Sequence, residues 1–253
     1  MVALSDAQLL QWVGWLLAPL FRVIGLMMSA PVLSNRALPL RARIAIALAI
    51  VVCIAPQAQG DQAWSLGSPT ALLDLARELG IGLIIGLLAR LVFGAFELAG
   101  EIIGLQLGLS FAAFFDPTIG ASNPMTRIIH TLALLAFVTL NGPQMLIAGL
   151  THSYQTMPIG TALFEGRQAL ELAGTGASLF STGVMIALPF IGLLLIVNLI
   201  LGVVSRIAPQ MNVFAVGFPI TIGAGLVLVA LGLPLIEAPL MELTQTMLRV
   251  FLR

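Results

Sequence analysis

Apolar residues fill long uncharged runs along this chain: Ile44 to Gly60, Leu79 to Ala89, Ile102 to Phe115, Ile128 to Phe164, Leu172 to Ser205 and Ile207 to Ile236. A further run, Ala7 to Val32, is interrupted only by Arg22. A membrane span needs about 20 apolar residues, so hydropathy alone sketches about five or six transmembrane helices. The sketch fits poorly over Leu79 to Phe115, which holds no proline and no cluster of turn residues. As one helix rising about 1.5 Å per residue, that segment is nearly twice as long as the roughly 30 Å hydrocarbon core. It either breaks at a glycine or projects beyond the bilayer.

One face of that segment is unusual. Arg90, Gly94, Glu97, Glu101, Gly104 and Gly108 follow one another at steps of 4, 3, 4, 3 and 4, which places them on a single helical stripe. Glycines on a stripe allow another helix to approach closely, and a charge facing lipid costs about 2.5 to 3.5 kcal/mol on the insertion scale. The stripe is therefore expected to face protein. Two readings stay open: another subunit packs on it, or Arg90 and Glu97 pair within the chain while the glycines pack an internal hairpin.

The second half has a different character. Leu172 to Ile236 carries a single charge, Arg206, in "VVSRIAPQMNVFAVGFP", where Pro209 and Pro219 bracket an expected turn. The pattern predicts a hairpin of two long apolar helices and then a short amphipathic tail, Glu237 to Arg253. In the tail Leu240, Leu243, Met247, Val250 and Phe251 fall roughly on one face, with Glu242, Gln245 and Arg249 elsewhere. Orientation is not legible, because Arg36, Arg41 and Arg43 and the C-terminal Arg249 and Arg253 fall on opposite sides of a simple six-span count.

Composition sharpens the class. Mean hydropathy is +1.08, 59% of residues are hydrophobic and 9% are charged, far below the roughly 25% of a soluble domain. The chain belongs in or against a membrane. Its eleven basic residues are all arginine and balance eleven acids, so no basic surface calls for nucleic acid. Cys53 alone builds neither a disulfide framework nor a thiolate metal site. Asp6 precedes any arginine, so the N-terminus lacks the positive start of a secretory leader and is expected to be retained.

Enzyme chemistry finds little support. His130 and His152 have no second ligand at metal spacing, and without lysine there is no phosphate-binding P-loop. Ser122 and Ser181, beside glycines or small residues, suit packing better than nucleophilic catalysis. No catalytic residue, cofactor or metal is expected. A proton-coupled secondary transporter is the rival reading, with Arg22, Arg90, Glu97, Glu101 and Arg206 lining a path. Against it, the two halves share no repeat in charge placement or Gly/Pro spacing.

Three stretches carry a family resemblance: "FRVIGLMMSAPVLSNRALPLRARIAIALAI" (Phe21 to Ile50), "ELAGEIIGLQLGLSFAAFFDP" (Glu97 to Pro117) and "RIAPQMNVFAVGFPITIGAGL" (Arg206 to Leu226). The chain resembles the FliR family, the R subunit of the flagellar type III protein-export gate, related to the SctT proteins of injectisomes. The likeness runs nearly end to end, and Pro209-Gln210-Met211-Asn212, with Phe214, Gly217 and Pro219 following, is its most specific part. It implies an all-α, membrane-associated fold of helical hairpins, a fusion of a P-subunit-like region (residues 1-176) and a Q-subunit-like hairpin with its tail (177-253). It also implies assembly with FliP-like and FliQ-like subunits in a spiral around a channel for unfolded substrates. FlhB-like and FlhA-like export components and the bacterial inner membrane, at the base of the flagellar basal body, complete the implied setting. Arg206, Pro209, Gln210, Met211, Asn212, Phe214, Gly217 and Pro219 are expected to pack between subunits, the prolines breaking a helix and Gln210 and Asn212 capping freed backbone groups.

The resemblance also gives a reading to "SFAAFFDPTIGASNP". In the family the loop after the long glycine-stepped helix plugs the lumen. Ser110, Phe111, Phe114, Phe115, Asp116, Pro117, Thr118, Ile119 and Gly120 are the plug residues this implies. Three phenylalanines can fill an apolar constriction, Pro117, Gly120 and Pro124 keep the loop from continuing as helix, and Asp116 can fix a turn. From the residues alone, a plain connector with the three phenylalanines in the core is the preferred reading.

Overall fold

The computed structural model describes residues 6–34, 39–57, 69–109, 123–159, 166–208, 213–232 and 234–252, and over these the chain is helical, with no strand. The helices are α1 (Asp6–Ser29), α2 (Leu40–Ile54), α3 (Ala71–Gln106), α4 (Pro124–Thr139), α5 (Gly142–Thr156), α6 (Gly166–Ile207), α7 (Val213–Leu231) and α8 (Pro234–Leu252). Two of them are long and apolar enough to cross a membrane alone, within Ala71–Gln106 and Leu179–Ile207; counting two bent pairs as single spans raises this to four. Among the described residues that is fewer than the five or six that hydropathy alone sketches. The run Ile128 to Phe164 is cut at Asn141-Gly142-Pro143, where Asn141 takes the left-handed conformation (φ 59°) that asparagine tolerates better than most side chains.

Within the overlong segment Leu79 to Phe115 the helix runs unbroken as far as Gln106. α3 continues through all its glycines for 36 residues, about 54 Å at the usual rise, and so exceeds the hydrocarbon core. It stops where Gly108 adopts φ 75°, with the Leu109 amide donating to Gly104 O at 3.1 Å and the Gly108 amide to Leu105 O at 3.0 Å. These reversed bonds satisfy carbonyls that a helix end would orphan, and the left-handed residue is normally glycine. Further on, α6 carries Asn198, whose Nδ2 donates to Gln106 O at 3.4 Å, so another terminal carbonyl of α3 has a donor.

The expected turn bracketed by two prolines is corrected. The helix break falls between Ile207 and Val213, while Pro219 lies inside α7. Pro19, Pro189 and Pro239 are likewise inside helices. Apolar helices tolerate interior prolines because neighbours re-satisfy the freed carbonyl groups. The C-terminal tail begins earlier than expected, at Pro234, and its pattern holds where described: Leu240 and Leu243 are buried, Glu242 and Gln245 exposed.

The chain divides into two compact units. The first comprises Met1–Leu91, Asn141–Thr175 and Thr244–Arg253, the second Val92–Leu140 and Gly176–Leu243. In the first, α1 crosses α3 at glycines. A Cβ on Gly25 would meet the backbone of Leu79 and Leu83, and one on Gly82 the backbone of Arg22 and Leu26. This backbone-to-backbone approach buries Val23, Leu26, Ile81, Ile85 and Leu88. In the second, Phe93, Phe96, Ile103, Met125, Ile129 and Phe137 form the α3–α4 core, and Phe93 meets Phe137 edge-on with ring centroids 5.3 Å apart. Helix α6 runs unbroken across 176/177.

Candidate functional site

Two polar centres interrupt these apolar cores. The first is built on Arg22, the charge that broke the opening hydrophobic run. It is fully buried at 0% exposure, and Glu78 facing it is 1% exposed. Arg22 Nε donates to Glu78 Oε2 at 2.7 Å and Nη2 to Oε1 at 2.9 Å, a two-pronged pair. Its remaining donors turn to the end of α5, where Nη1 reaches Ser153 Oγ and Nη2 reaches Met157 O, both at 2.9 Å. The guanidinium carbon stands 3.9 Å from the Tyr154 ring centroid, stacking a cation on an aromatic face. A cation at the C-terminal end of α5 also complements its dipole. One side chain thereby ties α1, α3 and α5 together, and a group so enclosed does not line a water-filled path.

The second centre ties the two feet of the candidate plug loop. Asn123 caps α4: its Oδ1 accepts from the Thr126 amide at 2.9 Å, with Pro124 in the first turn. Asn123 Nδ2 donates to Glu101 Oε2 at 2.9 Å, and Thr126 Oγ1 donates to Glu101 Oε1 at 2.8 Å. Glu101, near the end of α3, thus holds the start of α4 through both carboxylate oxygens. Close packing makes this possible. A Cβ on Gly100 would lie 2.6 Å from Thr126 Cα, and Gly104 lies against the Asn123 side chain with no room for one.

The stripe Arg90–Gly108 therefore serves more than one purpose. Glu101 and Gly104 face α4 of the same chain, and Gly108 ends the helix in a left-handed turn. Glu97 is half exposed, at 52%, and its ion-pair partner is His130, not Arg90. His130 Nδ1 stands 2.9 Å from Glu97 Oε1, yet off the line of a hydrogen bond, so the contact is an ion pair when the imidazole is protonated. Arg90 is exposed, and nothing lies within 4 Å of a Cβ placed on Gly94. Arg206 is exposed in the last turn of α6, Gly217 is buried and Pro219 is exposed in α7, while Phe214 contributes helical backbone to α7. Pro209, Gln210, Met211, Asn212 and the loop residues Ser110 to Gly120 lie outside the described residues. Among the described residues no three His, Cys, Asp or Glu side chains group as metal ligands.

Sequence reasoning missed Glu78, Ser153 and Tyr154. The available signal was Arg22 itself: a lone charge in an apolar helix demands an acid, although nothing in the pattern says which.

The profile of the family described as "Bacterial export proteins, family 1" matches residues 13–247. The "Flagellar biosynthetic protein FliR" of Escherichia coli (strain K12) is 40% identical over 243 residues, 96% of this chain and 92% of that protein. The protein of that name from Aquifex aeolicus (strain VF5) is 31% identical over 93% of this chain and 92% of its own length. That from Bacillus subtilis (strain 168) is 30% identical over 82% and 81% respectively.

Proposed function

The chain belongs to family 1 of the bacterial export proteins, the FliR family, and on that premise we propose that it forms a channel for unfolded flagellar export substrates together with FliP-like and FliQ-like subunits. At the coarser level it is a flagellar biosynthetic export protein whose apolar helices are able to cross a membrane. The observation that carries the reading is the nearly end-to-end match, 40% identity over 96% of the chain.

In this reading the assembly sits in the inner membrane at the base of the flagellum and receives substrates from FlhB-like and FlhA-like components. Residues 1-176 play the part of a P-type subunit and 177-253 that of a Q-type hairpin, the subunits winding as a spiral around the lumen. The chain is a passage, not a catalyst; energy and substrate choice enter through its partners. Ser110 to Gly120 plugs the lumen. The joining of both feet of that loop by Glu101, Asn123 and Thr126 supports this reading, because a plug held at a fixed base can be displaced without disturbing the helices. The lone transporter is not adopted, since Arg22, one of its path residues, is held by Glu78, Ser153 and Met157 inside the core.

Two measurements test the proposal. Native mass measurement of the purified assembly is expected to find this chain with several different small membrane subunits; a chain that purifies and transports alone overturns the channel reading. Deletion of Phe114 to Ile119 is expected to make the reconstituted complex conduct ions while leaving assembly near normal. A tight, intact complex after the deletion returns the loop to the status of a connector.

A further inference from the structure

Helix α6 presents two different faces along its apolar length within the second compact unit. Leu179, Gly183, Ile186, Ala187, Phe190 and Leu194 are buried on the inner one, and Asn198 extends it with its bond to Gln106 O. On the opposite side Met185, Leu188, Ile196, Leu199 and Val203 each expose half or more of their surface, and Gly192 has nothing within 4 Å of a Cβ placed on it. Steps of three and four put these residues on one stripe, which meets a polar side chain only at Ser181 on one end and Arg206 on the other. From Met185 to Arg206 the helix rises about 31 Å, which matches the roughly 30 Å of a hydrocarbon core. Of the two helices able to cross a membrane alone, the apolar window of α3 is 56% buried within the chain and that of α6 22%, so α6 meets its surroundings far more than α3 does.

We propose that this stripe of α6 is a lipid-facing surface: acyl chains cover Met185 to Val203, and the Arg206 guanidinium binds a phospholipid phosphate where the stripe ends. Such a surface goes beyond the channel reading and holds whether or not other subunits assemble elsewhere on the chain. Charge and length favour this occupant. A guanidinium in the last turn of a spanning helix snorkels to the headgroup level, where phosphate oxygens accept its N–H bonds in pairs. Between its ends the stripe has no charge for a polar partner to meet and no polar side chain to wet a passage. A second helix fits it poorly, because close crossings in membranes use small residues four apart, and Gly192 stands between Leu188 and Ile196. Flexible acyl chains fill an uneven surface of large side chains without needing such a groove. Arg206 then faces headgroups, in place of the subunit contact that the family resemblance implies for it.

The test uses the full chain co-expressed with the other export subunits and reconstituted in bilayers of phosphatidylethanolamine and phosphatidylglycerol. Nitroxide labels are placed singly by Leu188→Cys, Ile196→Cys and Arg206→Cys in a Cys53→Ala background, all at exposed positions. Their access to dissolved oxygen and to a water-soluble nickel chelate is then read. Ile196 lies midway along the stripe, so its oxygen-to-nickel ratio is expected to be the highest, falling several-fold at Leu188 and at Arg206. Arg206→Leu removes the anchor and is expected to raise the ratio at a Val203→Cys label several-fold, as that end sinks into the core. A label at position 196 that neither reagent reaches means that protein covers the stripe, and one that nickel reaches means that water does; either overturns the proposal. An unchanged ratio at position 203 overturns the assignment of Arg206. Where a cysteine variant does not insert, a phospholipid with a photoactivatable acyl chain is applied to the parent complex. An adduct on the tryptic peptide that ends at Arg206 supports the lipid face, and its absence overturns it. A parent chain that recovers no other subunit overturns the channel reading alone, because the labels on the chain by itself still decide the lipid face.

Discussion

Helix α3 carries two acid–base pairs, one in each compact unit, and they differ in almost everything but chemistry. Glu78 meets Arg22 in a sealed core, the two side chains 1% and 0% exposed. Glu97 meets His130 at a surface, the two 52% and 30% exposed. The first cation uses four N–H bonds and an aromatic face, so nearly all of its hydrogen-bonding capacity is met within the chain. The second pair has one close approach without hydrogen-bond alignment. A charge in an apolar helix is thus not one kind of signal. Where the pair is sealed in the core it ties helices together, and where it is open to solvent it holds little.

The sharpest way to break this contrast is to unpair the sealed charge. Arg22→Met leaves Glu78 buried without its cation and is expected to destabilise the isolated chain by about 3 to 5 kcal/mol, the usual cost of breaking a buried pair from one side. The double change Arg22→Met with Glu78→Leu removes both charges and is expected to recover most of that loss. Thermal unfolding in detergent reads both. A double variant as unstable as the single would mean that Ser153, Tyr154 and Met157, rather than Glu78, are what Arg22 chiefly serves.

A smaller effect compares glycines on the same helix. Gly82→Ala drives a methyl into the Arg22 backbone and is expected to cost about 1 to 3 kcal/mol as overpacking. Gly94→Ala meets nothing and is expected to stabilise the isolated chain by up to about 1 kcal/mol through helix propensity. Equal losses at both positions would remove the distinction between a filled crossing and an open one.

How far the sequence led can be judged residue by residue. The helical class was legible, because apolar residues without prolines or turn clusters leave the backbone no reason to stop; the sequence left open whether the stretch from Leu79 breaks at a glycine, and the helix runs to Gln106 before the left-handed Gly108. Gly108 ending the helix was legible in principle: it is the last glycine before a loop, where a left-handed residue is expected. Its spacing also fits the stripe, so a bulky residue there reports backbone strain as well as any packing. The Asn123-Pro124 pair likewise carried a helix-start signal. The Arg22–Glu78 pair was not legible. Its members are 56 positions apart, and only the crossing at Gly25 and Gly82 brings them together.

The clasp at the loop base lies between the two extremes. Asn123→Ala removes a cap and one of the two bonds to Glu101, and is expected to cost about 1 to 2 kcal/mol. Hydrogen exchange should localise the loss to the first turn of α4, because its amides lose their acceptor while the Phe93–Phe137 core is untouched. Protection lost evenly across the second unit would make Asn123 a core residue and not a local tie.

The smallest expected effect is at the exposed pair, and it decides whether the comparison is one of kind or only of degree. Glu97→Gln keeps the size and one acceptor of the side chain while removing its charge. A half-exposed acid loses little solvation on folding, so the pair with His130 is worth about 0 to 1 kcal/mol in the isolated chain. A double-mutant cycle with His130→Gln, followed by thermal unfolding in detergent, should give a coupling within that range that shrinks as salt is raised. A coupling in the isolated chain as large as that between Arg22 and Glu78 would mean that Glu97 is already sealed. The two pairs would then differ in exposure alone and not in what they hold.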